Sequence, residues 1–100
     1  MSLSTHVLDT AHGRPAAGVT IELRGGGGHV ATVITDDDGR ATFGHLDAGE
    51  YELIFAVGDY FGERQFLDHV PVRFHVADPG EHYHVPLLVS PWAYSTYRGS

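Results

Sequence analysis

Thr35-Asp36-Asp37-Asp38-Gly39-Arg40, followed by Phe43, Leu46, Gly49, Tyr51 and Leu53, is the stretch from which the fold is read. Asp38-Gly39 and Ala48-Gly49 are turn signals, because Gly supplies backbone angles other residues resist and Asp bonds its own main chain. From Tyr51 onward the pattern has a period of two. Tyr51, Leu53, Phe55 and Val57 alternate with Glu52, Ile54 and Ala56. Alternation puts one set of side chains on one face of a strand, so this is a half-buried strand entered through a turn.

The same period extends in both directions. Leu3, Thr5 and Val7 alternate with Ser4, His6 and Leu8, and Val19, Ile21 and Leu23 alternate with Thr20, Glu22 and Arg24. Val70, Val72 and Phe74 alternate with Pro71, Arg73 and His75; Tyr83, Val85, Leu87 and Val89 alternate with His82, His84, Pro86 and Leu88. Turn residues at Gly13-Arg14-Pro15, Asp78-Pro79-Gly80 and Ser90-Pro91 separate these runs. Short strands at short intervals indicate a sandwich or barrel. One helix is expected, over Asp59 to Leu67, with Gly62 as a weak point. The run Gly25 to Gly28 reads as a flexible loop: no helix and no Lys-Ser/Thr follows it, so it is no phosphate cradle. The Thr35–Leu53 segment looks like one shared by transthyretin-like and carboxypeptidase-regulatory-like sandwiches, which speaks to fold and not to function.

The chain has 100 residues, so residues 1–100 are read as one domain with a thin core. A thin core makes support from neighbouring subunits an expectation. There is no cysteine, which excludes disulfides and thiolate metal sites. No apolar run approaches the ~18–20 residues of a membrane span. Met1 to His6 has neither the basic nor the apolar part of a leader, so a cytoplasmic location is the default expectation. The net charge is −7, with six Arg and no Lys, which argues against nucleic acid as a partner. An Arg in a cleft of such a chain suggests planar hydrogen bonding to a flat or anionic group. The eight histidines suit proton transfer near neutrality.

His82 and His84 share one strand face. They admit three readings: exposed edge histidines, two zinc ligands completed by His6, or a metal-free general base. His6 lies mid-strand beside Ser4 and Leu8, and taken alone it is a partly exposed sheet residue. Arg40, taken alone, screens Asp36, Asp37 and Asp38. That acidic run lacks the loop and distal Glu of a calcium-binding hand. The C-terminus is unusual. Chain ends are commonly small and polar, yet Trp92, Tyr94 and Tyr97 precede Arg98 and Ser100. Burial of this tail against another subunit is expected, with Ser100 offering a hydroxyl and the α-carboxylate.

Four stretches carry a resemblance. They are Leu3-Ser4-Thr5-His6-Val7-Leu8-Asp9, Gly39-Arg40, His82-Tyr83-His84-Val85-Pro86-Leu87-Leu88-Val89-Ser90-Pro91, and Tyr94-Ser95-Thr96-Tyr97-Arg98-Gly99-Ser100. Together they resemble the transthyretin-related 5-hydroxyisourate hydrolase family, over essentially the whole chain. The terminal Tyr-Arg-Gly-Ser is that family's signature. The resemblance implies an all-β, transthyretin-like sandwich of two four-stranded sheets with one short helix. It implies a homotetramer, a dimer of dimers, with active sites in the channel between dimers. The implied activity is hydrolysis of 5-hydroxyisourate in the urate-to-allantoin branch of purine catabolism, with no cofactor and no metal. His6, Arg40, His84 and Tyr97-Arg98-Gly99-Ser100 match the family's active-site positions. The expected roles are water activation by His6 and His84, substrate docking by Arg40, and completion of the pocket by Ser100. Tyr97, Arg98 and Gly99 are expected to border the substrate, Tyr97 and Arg98 chiefly by shaping the tail. His82 receives no role. Transthyretin lacks this ending and both catalytic histidines, so a hormone carrier falls behind. A regulatory sandwich and a metal-binding sandwich using His6, His82 and His84 also compete with the hydrolase reading.

Overall fold

The computed structural model describes residues 3–99, which form two facing sheets and one short helix. The strands in chain order are β1 (Leu3–Asp9), β2 (Arg14–Pro15), β3 (Thr20–Gly25), β4 (Gly28–Ile34), β5 (Arg40–Phe43), β6 (Gly49–Ala56), β7 (His69–Val76), β8 (Tyr83–Val89) and β9 (Tyr94–Thr96). The helix α1 spans Val57–Phe61, between β6 and β7. One sheet runs β2-β1-β8-β9, with β5 also on β1; the other runs β4-β3-β6-β7. β5 pairs with the first half of β1 and the two-residue β2 with its end, so both share one edge. Each sheet is therefore four strands wide, as expected.

β1 and β8 pair in parallel, from Leu3↔Tyr83 to Asp9↔Val89. Their inward residues alternate strictly: Leu3, Thr5 and Val7 of β1, and Tyr83, Val85 and Leu87 of β8, are buried. They meet Ile21, Leu23, Leu53 and Phe55 of the facing sheet in one core. Burial of apolar side chains at roughly 25 cal/mol per Å² drives this packing. Thr5 is the polar exception in the middle of β1, and its hydroxyl donates to the Val85 carbonyl at 2.6 Å. Pro71 sits on β7, an edge strand, where a missing N–H costs no ladder bond.

Two expectations need correcting. The helix is shorter and earlier than residues 59–67. Gly62 takes a left-handed conformation (φ 72°, ψ 17°) and its N–H closes on the Gly58 carbonyl, which ends the helix. The glycine run is no loose loop either. Gly25 closes β3, Gly28 opens β4, and Gly26 and Gly27 have φ of 60° and 83°. Two successive positive φ values are what a tight two-residue hairpin of the primed type requires. The aromatic tail, expected to pack against another subunit, is open within one chain: Trp92, Tyr94 and Tyr97 are 57%, 44% and 60% exposed. Among the described residues no helix is long and apolar enough to cross a membrane.

Candidate active site

The outer face of the first sheet collects the residues singled out from the sequence. On β1 the outward residues are Ser4, His6 and Leu8, each half-buried. His6 pairs across the antiparallel ladder with Arg40 of β5. Ser4 pairs with His84 of β8 across the parallel ladder. The strands thus bring to adjacent positions residues that lie about 80 apart in sequence.

Ser4 Oγ lies 2.8 Å from His84 Nδ1 and 2.9 Å from His82 Nε2. The tail follows on the other side. Gly99 bridges His84, its N–H donating to the His84 carbonyl at 2.8 Å. A Cβ at position 99 would stand 2.5 Å from His84 Cδ2. Only glycine allows the tail to lie this close to the imidazole. The ring is held along one edge by a hydroxyl and along the other by a bare backbone.

Burial pushes the His84 imidazole below its ordinary value of 6.5. Repulsion between a protonated His84 and the neighbouring His82, His6 and Arg40 side chains pushes it further down, and a bond to the Ser4 main chain opposes this. His84 is accordingly neutral near pH 7, the form that can accept a proton.

Among the described residues the Arg40 side chain forms no ion pair with the acidic turn before it, which is bonded by the main chain instead. Asp36 Oδ1 accepts main-chain N–H groups from Asp38 at 2.9 Å and Arg40 at 3.0 Å. The carboxylate stabilises the turn, and among the described residues the arginine ion pairs involve Arg24, Arg64, Arg73 and Arg98. Arg40 borders a hollow of about 310 Å³ with Asp36 and Thr42.

Arg98 takes a different position from Gly99. Its guanidinium lies 4.4 Å from the centre of the Tyr83 ring, an inward residue of β8. It also lies 3.6 Å from Glu81 Oε1 and donates to the His82 carbonyl at 3.3 Å. Those contacts fasten the tail to β8. Tyr97 is exposed, and Ser100 lies outside the described residues.

The described residues contain no set of three His, Asp or Glu side chains placed to share a metal ion. A larger concavity, about 500 Å³, lies on the outer face of the other sheet among Arg24, Glu52 and Arg73. Its arginines are already engaged, Arg73 across strands with Glu52 at 3.2 Å and Arg24 with Glu22 of its own strand at 3.2 Å. Sequence reasoning does not identify Ser4. Its only signal is that it sits two residues before His6 and so on the same strand face.

The HIUase/Transthyretin family model matches residues 3–99. A 5-hydroxyisourate hydrolase of Mesorhizobium japonicum is 53% identical over 114 aligned positions, which cover 98% of this chain and 91% of that protein. The 5-hydroxyisourate hydrolase structure from Klebsiella pneumoniae superposes with a TM-score of 0.90 at 37% identity, covering both chains in full. The crystal structure of (S)-allantoin synthase superposes at 0.91 with 43% identity. That match covers 99% of this chain but only 43% of the synthase chain.

Proposed function

The chain belongs to the HIUase/transthyretin family, and from that premise we infer that it hydrolyses 5-hydroxyisourate. This is the urate-degrading step of purine catabolism that yields 5-hydroxy-2-oxo-4-ureido-2,5-dihydro-1H-imidazole-5-carboxylate. The observation that carries this reading is the single outer face shared by His6, Arg40, His84 and Gly99.

The substrate is a flat, polar, cyclic acylurea. Opening it requires attack by water on a ring carbonyl and departure of a nitrogen. We assign His6 and His84 to positioning and deprotonating that water, a contribution of typically ~10²–10⁴-fold. The lowered pKa of His84 supports the assignment, because the ring is available as a base at neutral pH. Arg40 docks the carbonyl or anionic edge of the substrate through its planar fork. A donor placed at the developing oxyanion is worth ~3–4 kcal/mol. Gly99 lets the tail close on the His84 ring. Tyr97 borders the substrate, and Arg98 fastens the tail through Tyr83 and Glu81. Ser100 completes the pocket through its hydroxyl or carboxylate. No metal is required, and zinc on the same histidines would block the base.

We further assign the 100 residues to one hydrolase domain acting in the cytoplasm as a homotetramer, a dimer of dimers, with the outer face lining the channel between dimers. The exposed aromatic tail supports this, since Trp92, Tyr94 and Tyr97 lack cover within one chain. The deciding experiment follows ultraviolet decay of 5-hydroxyisourate made in situ by urate oxidation. Acceleration above the spontaneous rate is expected and should survive exhaustive chelation. Removing residues 97–100 should abolish it while leaving the melting temperature within a few degrees. Full activity without those residues would make the tail structural only.

A further inference from the structure

Two histidines approach the same hydroxyl. Ser4 Oγ is 2.8 Å from His84 Nδ1 and 2.9 Å from His82 Nε2. A serine hydroxyl has one hydrogen and two lone pairs, so it can donate to only one of these nitrogens. A neutral imidazole likewise carries one N–H and one lone pair. The three groups therefore cannot choose their hydrogens independently.

The base assignment removes the remaining freedom. A neutral His84 that accepts a proton from water does so at Nε2, because Nδ1 faces Ser4. Nε2 must then hold the lone pair and Nδ1 the hydrogen. Nδ1–H donates to Ser4 Oγ, and the Ser4 hydrogen turns toward His82 Nε2. We propose that Ser4 and His82 are positioning residues that fix His84 in its Nδ1–H tautomer, through a head-to-tail chain from His84 to Ser4 to His82. The inference rests on the reading of His84 as a base.

The fold supports the chain at both ends. Ser4 and His84 are direct partners in the parallel ladder, so the serine cannot drift from the ring. On the opposite edge, Gly99 packs against Cδ2, the atom bonded to Nε2. Rotating the ring by half a turn would point Cδ2 at the hydroxyl and forfeit its bond. His82 matters as an acceptor. Without it, the Ser4 hydrogen can swing to His84 Nδ1, which would move the ring proton to Nε2 and remove the base.

The test is nitrogen-15 NMR of the histidine rings in the intact enzyme above pH 7, read beside turnover. Wild-type His84 is expected as the Nδ1–H tautomer. Ser4→Ala and His82→Ala should shift it toward Nε2–H and lower kcat by about tenfold, the worth of one hydrogen bond. Ser4→Thr keeps the hydroxyl, and His82→Gln offers a carbonyl acceptor; both should restore tautomer and rate. These two conservative variants keep the test open if an alanine variant fails to fold. An Nε2–H tautomer in the wild type, combined with loss of turnover in His84→Ala, would overturn this inference alone. Full turnover in His84→Ala would overturn the base assignment and this inference with it.

Discussion

Two histidines of this chain present Nδ1 to an oxygen at nearly the same distance, but the oxygens differ. His12 Nδ1 lies 2.7 Å from Asp9 Oδ2, and His84 Nδ1 lies 2.8 Å from Ser4 Oγ. Asp9 is buried at the end of β1 and also accepts from the Tyr60 hydroxyl at 2.8 Å and the His12 N–H at 2.9 Å. Burial pushes its carboxyl up, but the bonds from His12 and Tyr60 outweigh that and hold it below 3.8. Burial above all, and then the bond to Asp9, push the Tyr60 phenol up. The result is a permanent anion tying the loop after β1 to α1. Around His84 burial acts first, the serine partner is neutral, and His82, His6 and Arg40 oppose a further positive charge, which together hold the ring below 6.5. A carboxylate partner favours imidazolium, whereas a hydroxyl orients the ring without charging it. A structural histidine cluster is thus set apart from the proposed chemical one by the partner's charge together with the burial of the ring.

His84→Ala should break the chemical cluster outright. Turnover of freshly generated 5-hydroxyisourate is expected to fall by ~10²–10⁴-fold, while the thermal midpoint barely moves. Asp9→Asn should do the reverse. Losing a charged hydrogen-bond acceptor costs about 2–3 kcal/mol, lowering the thermal midpoint by roughly 10 °C or more, with unchanged turnover per folded molecule. Because the folded pKa of Asp9 is depressed, its stabilisation is present above about pH 4 and fades as pH falls through the folded value. Urea midpoints measured from about pH 6 to about pH 3 should therefore fall less steeply in Asp9→Asn than in the wild type.

Ser4→Asp sharpens the comparison by giving His84 the partner that His12 has. In the wild type the acid limb of kcat/KM should lie below pH 6.5, since protonating His84 removes the base. An aspartate at position 4 should move that limb upward by about one unit; an unmoved limb would show that partner charge is not what separates the clusters. Arg73→Gln, which breaks a pair on the outer face of the other sheet, should change stability by less than about 0.5 kcal/mol.

The strands with one buried and one wet face are legible in the sequence because their alternation is a direct imprint of burial. β1, β3, β6, β7 and β8 all show it. β4 is not legible, because it buries no residue fully and leaves Val30 and Ile34 exposed, so it carries no clean period. The helix is misplaced by the sequence pattern because apolar spacing after Gly62 suggests continuation, and backbone geometry overrules it. His6, Arg40 and His84 stand out through motif resemblance rather than from chemistry alone. Ser4 is invisible for a physical reason: a serine gains meaning only once the parallel ladder sets it against a histidine 80 residues away.

That parallel ladder also sets a clock. Strand β1 is synthesised some 80 residues before its parallel partner β8. At about 5–20 residues per second, Ser4 waits on the order of 10 s for His84 to exist. Until then β1 has no neighbour on that side, and the outer face is a row of inert side chains. Any product of interrupted translation that stops before residue 83 lacks an inner strand of its sheet and the His84 of the proposed site. Pairing of that side of β1 and assembly of the proposed site therefore wait on the same strand.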